Sequence, residues 1–111
     1  MTHNSMTMFI IFLRFGPNRA QAGQWMSRHK QWVQDGIAEG SFLMAGSLDN
    51  AQGGVVIAAS RDGNAIHARV AQDPFVVHGV VSVEVHVVAP SLMAEGLAAL
   101  LHLRQVGQDV S

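Results

Sequence analysis

The stretch Met8-Phe-Ile-Ile-Phe-Leu-Arg-Phe15, closed by Gly16-Pro17, decides the fold. An apolar and aromatic run of this length is strand-sized and far too short to span a membrane. Its two alternating rows, Phe9, Ile11, Leu13, Phe15 and Ile10, Phe12, are both apolar, so the strand is expected to be buried on both faces. Pro17 is expected to open a helix at its first position, where a missing N–H is harmless. That helix should run to about Glu39, with Gly40 as a left-handed cap. Trp25, His29, Trp32, Val33 and Gly36 recur at spacings of three and four and therefore share one face.

Working outward, Phe42 to Gly46 reads as a short second strand, and Ser47 to Gly54 has turn composition. Val55 to Ala59 is close enough to pair with the second strand as a hairpin. Ser60 or Asp62 can cap a second helix carrying Ala65, Ile66, Arg69 and Val70 to about Gln72. Asp73-Pro74 stops it, because the residue before proline disfavours helix. Phe75 to Gly79 reads as a single turn. Val80 to Val88 alternates as a strand, with Val81, Val83, Val85 and Val87 on one side and Ser82, Glu84 and His86 on the other. A C-terminal helix is expected from Leu92 to about Val106. The order β-α-β-β-α-β, plus a tail helix, predicts an α+β, ferredoxin-like domain with a four-stranded antiparallel sheet. The expected organisation is a flexible N-terminus (residues 1–7), an α+β domain (8–90), and a C-terminal helix and tail (91–111).

Composition narrows the function classes. Seven basic and eight acidic residues, nowhere clustered, form no basic stripe of the kind a nucleic acid requires. The sequence contains no cysteine, so it offers neither disulfides nor thiolate chemistry. No basic segment precedes a hydrophobic run with a small-residue cleavage site, so a cytoplasmic address is expected. Only 14% of residues are charged against 49% hydrophobic, whereas roughly 25% charged is typical. A domain of 111 residues leaves much of its surface wet. A homodimer that buries one sheet face against its partner accommodates this apolar excess. The valines of the last strand are expected to form that face.

His29 sits among indoles on the first helix. It reads either as a core histidine bonded to a backbone carbonyl or as an acid–base group, since imidazole exchanges protons near neutrality. Asp73, before proline at a helix end, reads either as an Asx-type cap or as the carboxylate that orients the imidazole. Trp32, Arg14, Gly46, Ser47 and Phe75 are the candidate substrate contacts. Trp25 and Trp32 also fit a purely core role, Arg14 a solvated strand end, and Ser47 a simple turn. His67, His78, His86 and His102 lack paired metal-ligand spacing, and no cofactor fingerprint is present. Neither metal nor cofactor is expected.

His29 followed by Trp32, then Glu39-Gly40, Leu43-Met-Ala-Gly46, Gly53-Gly54, Asp73-Pro74-Phe75, Gly79 and a closing Val-x-Val strand resemble the YciI-like (YCII-related) family. The resemblance runs from about Phe9 to Pro90. It implies a dimeric α+β barrel and an active site centred on a histidine and an aspartate, matching His29 and Asp73. It also implies cofactor-free chemistry on oxygenated rings, such as loss of chloride from chlorinated hydroxyquinols. The chain departs from the family's pattern in carrying Gly46-Ser47 where Gly-Pro is common, and in its longer C-terminal helix. The expected function is a cofactor-independent His/Asp acid–base enzyme, of lyase or isomerase type, acting on a small oxygenated cyclic or aromatic substrate. The alternative is a non-catalytic small-molecule binding or interaction module on the same fold.

Overall fold

The computed structural model describes residues 6–110, and side chains through His102. The expected α+β architecture is present: β1 (Thr7–Phe15), α1 (Ala22–Glu39), β2 (Phe42–Ser47), β3 (Gly53–Ser60), α2 (Gly63–Ala71), a single-turn α3 (Pro74–Val77), β4 (Val81–Val88) and α4 (Glu95–Val110). The sheet order is β2-β3-β1-β4, and every adjacent pair is antiparallel. β1 and β2 are therefore split by β3, and β3 and β4 by β1, which is the ferredoxin-like arrangement. None of the described helices is long and apolar enough to cross a membrane.

α1 starts at Ala22, five residues after the expected Pro17. Gly16, Pro17 and Asn18 instead form a tight entry, with Arg19 N–H donating to Gly16 O and Gln21 N–H to Asn18 O. The Asn18 amide donates to the His78 carbonyl at 3.1 Å, and that tether holds the entry in a turn before the helix begins. At the other end Gly40 adopts φ 95° and caps α1 as expected, a conformation that a Cβ disfavours. α2 is capped by Asp62, whose carboxylate accepts from Asn64 N–H at 2.9 Å. α4 begins at Glu95, three residues beyond the expected Leu92.

Helices α1, α2 and α3 cover one side of the sheet. Phe9, Ile11 and Leu13 of β1 are nearly inaccessible and pack with Trp32, Phe42, Val56, Ile66, Val70 and Phe75. At the α1–β2 corner Gly36 permits this contact, because a Cβ there would stand 2.1 Å from the Phe42 ring.

Two expectations are corrected here. The register pairs Phe9 with Val87, Ile11 with Val85, Leu13 with Val83 and Phe15 with Val81, so the β4 valines share the helix-covered side. Val83 and Val87 stay exposed there because β4 is an edge strand. The open side carries Ile10, Phe12, Val55 and Ile57, with Arg14, Glu84 and His86 beside them. The expectation of a flexible stretch through residue 7 does not hold at its last two positions, since Thr7 belongs to β1 and Met6 is buried. Residues 1–5 lie outside the described part. Met6, Ala59 and Leu101 form a second, smaller core, with Met8, Leu43 and Leu97 against it. α4 thus rests on one end of the open face.

Candidate active site

The α2–α3 junction builds the site's acidic half. Pro74 excludes helix at Asp73, which takes φ −60°, ψ 124° and becomes the N-cap of α3. From there Asp73 Oδ1 accepts the Phe75 N–H at 3.0 Å. The same oxygen lies 2.8 Å from His29 Nδ1 on α1. A carboxylate can only accept, so the imidazole donates through Nδ1–H and carries its free lone pair on Nε2. Asp73 is fully buried, while the His29 side chain keeps 17% exposure. Capping and pairing are therefore performed by one oxygen. Asp73 Oδ2 is buried and has no hydrogen-bond partner among the described residues.

His29 is held on a second side by Phe75. The two rings stack 4.1 Å apart and only 4° from parallel. With its tautomer fixed by Asp73 and its plane fixed by Phe75, His29 lines a cavity of about 380 Å³ between α1 and the sheet. Leu13, Phe15, Val33 and Val81 make it largely apolar, and Lys30, Gln34 and Ser47 add polar atoms.

The structure brings His29, Asp73, Phe75, Gly46 and Ser47 to this place: all but Asp73 line the cavity, and Asp73 stands directly behind His29. It separates the other two expected contacts from it. Trp32 is 6% exposed within the core, and its indole N–H donates to the Arg69 carbonyl at 2.9 Å. A buried indole needs such a partner, and here the partner belongs to α2. Arg14 shares the open side of the sheet with Phe12 and meets Glu84 at 3.4 Å. Strand parity explains this placement, since Leu13 and Phe15 take the cavity side.

Lys30 and Gln34 were missed as lining residues. Their signal was readable, because Met26, His29, Lys30, Val33 and Gln34 follow the i, i+3, i+4, i+7, i+8 stripe of one helix face.

The family model for the YCII-related domain matches residues 7–89. The chain belongs to the YCII-related domain family. No curated protein matches the sequence. Among solved structures, this YCII-related domain is similar to 5-chloro-2-hydroxyhydroquinone dehydrochlorinase from Burkholderia phenoliruptrix AC1100, solved in complex with 2,5-dihydroxybenzoquinone. The TM-score is 0.63 at 15% identity, covering 80% of this chain and 97% of that one. It is also similar to a conserved protein of unknown function from Bacteroides thetaiotaomicron VPI-5482, with TM-score 0.52, 11% identity, and coverage of 76% and 96%. At such identities the likeness concerns the ferredoxin-like α+β fold alone. The match ends before α4, which is this YCII-related chain's addition to the matched region.

Proposed function

We propose that this YCII-related protein is a cofactor-independent acid–base enzyme, of lyase or isomerase type, acting on a small oxygenated cyclic or aromatic substrate. The observation that carries the reading is the 2.8 Å contact between His29 Nδ1 and the buried Asp73 carboxylate at the wall of an apolar cavity. His29 Nε2 accepts a proton from a substrate hydroxyl or an activated C–H. The electron pair left behind delocalises into the substrate's own π-system. The imidazolium faces a carboxylate that otherwise accepts one backbone N–H, so Asp73 balances the new charge while keeping the ring in place. Returning the proton to another atom completes an isomerisation, and giving it up as a leaving group departs completes an elimination. The likeness to a dehydrochlorinase of a hydroxylated ring supports this class of substrate.

We infer further that the working unit is a homodimer with the open sheet faces opposed. The support is the half-buried row of Ile10, Phe12, Val55 and Ile57, which the chain's own helices leave largely uncovered.

The test incubates the protein with a panel of catechols, hydroxyquinols and lactones while following ligand absorbance and melting temperature. Spectral conversion is expected, and His29→Gln should slow it by about 10²–10⁴-fold. Conversion by His29→Gln at the wild-type rate overturns the reading. Stabilisation by a ring whose spectrum never changes favours a binding module instead.

A further inference from the structure

We propose that the cavity beside His29 selects a planar ring carrying an ionised oxygen, with Lys30 holding the anion and Gly54 making the room for the ring. The proposal rests on the acid–base reading of His29 and adds the charge and shape of what that residue works on.

The charge argument starts from the lining. Apart from the imidazole of His29, Lys30 is its one basic side chain among the described residues, and neither Asp nor Glu contributes to it. Lys30 follows His29 directly on α1 and is exposed; it makes no ion pair among the described residues. The nearby carboxylate, Asp73, is buried behind His29 and already engaged by it. An uncompensated ammonium at the wall of an apolar cavity attracts an anion, and the low-dielectric wall strengthens the attraction. Proton removal by His29 also leaves negative charge on the substrate, which Lys30 stabilises as it develops.

The shape argument comes from the sheet. Ser47, Gly54, Leu13 and Val83 pair in one row across β2, β3, β1 and β4, on the side facing the helices. Gly54 is the one member without a side chain. Its φ is not among the positive glycine values, which belong to Gly40, Gly53 and Gly79, so no left-handed conformation demands glycine there. A Cβ at Gly54 would meet a single atom within 4 Å, the Gly46 carbonyl oxygen at 3.1 Å. That contact across the hairpin is tight, and beyond it no other atom lies within 4 Å of the position. A gap left by one side chain between a helix and a sheet admits a flat molecule more readily than a thick one.

The experiment measures binding by titration calorimetry, with 2,5-dihydroxybenzoquinone as the anionic ring and hydroquinone as the neutral one. Wild type should prefer the anion by about tenfold or more, and the preference should shrink as salt is raised. Lys30→Met should remove the preference while leaving hydroquinone unchanged, and Lys30→Arg should restore most of it. Gly54→Val should weaken both rings by about tenfold with an unaltered far-ultraviolet dichroism spectrum. The proposal is overturned if wild type binds the two rings alike, binds neither at concentrations on the order of millimolar, or keeps its preference in Lys30→Met. His29→Gln should still bind the anion. Loss of turnover in that variant, with Lys30→Met indistinguishable from wild type, would remove this proposal and leave the acid–base reading standing. Undiminished turnover in His29→Gln, with anion preference abolished in Lys30→Met, would do the reverse.

Discussion

Asp73 serves two partners through one oxygen: the Phe75 N–H that starts α3 and the imidazole of His29. Its replacement therefore separates structure from chemistry only when the new side chain is chosen with care. Asp73→Asn keeps an acceptor for Phe75 N–H and for His29 Nδ1–H but removes the negative charge. It should retain most stability while lowering turnover, because the imidazolium loses its counter-charge. Asp73→Ala leaves both donors unpaired, and each unmet group costs about 1–3 kcal/mol. Urea denaturation of the two variants beside wild type checks this, and equal midpoints would contradict it. At this scale the two halves of the site were legible as residue types, an imidazole among apolar neighbours and an Asp before Pro. Their meeting across 44 positions of sequence was one of two readings of those residues and became the expectation through the family resemblance, since no local spacing encodes a tertiary contact. Arg14 was misplaced for a simpler reason. Its strand parity sets it with Ile10 and Phe12, away from the cavity.

Among the elements, α1 and β2 are joined at a corner where Gly36 lies under the Phe42 ring. Gly36→Ala should destabilise the fold by about 1–3 kcal/mol, since neither the helix backbone nor a fully buried ring yields easily. An unchanged thermal midpoint would show that the corner relaxes. β4 carries a different test. The Glu84 carboxyl is held below its ordinary value of 4.5, chiefly by the hydrogen bond from His86. Partial loss of hydration opposes this, and the charges of Arg14 and His86 reinforce it. A carboxyl whose folded pKa is depressed adds stability above its unfolded pKa, and that contribution fades as pH falls through the folded value. The Glu84 side chain is about half exposed, so the contribution is small and screened by salt. Glu84→Gln should flatten the pH dependence of the melting temperature slightly below pH 4.5 and leave it unchanged near neutrality. The strand itself was plain from its alternating valines. Which side they faced was not, because period-two alternation defines two rows without saying which one meets the helices. Register across β1 decides that, and a one-residue slip reverses it.

For the whole molecule, the dimer proposal moves with the corrected register. The residue to test is Ile57, which pairs with Ile10 in the middle of the open face, rather than Val83 or Val85 on the helix side. Ile57→Asp places a charge where a second sheet would exclude water. Sedimentation should then show a monomer, and a monomeric wild type at micromolar concentration would defeat the proposal. The Met6, Ala59 and Leu101 cluster has a consequence for how the chain acquires its shape. It joins positions from nearly opposite ends of the described residues, so its loop-closure entropy is large and its contacts are non-local. Such contacts should form after the main sheet, on the native side of the rate-limiting barrier. Leu101→Ala should therefore speed unfolding while leaving the refolding rate nearly untouched, a φ-value close to zero in stopped-flow chevron measurements. A slowed refolding limb would instead place the closure of α4 among the first events, making it the clasp around which the sheet assembles.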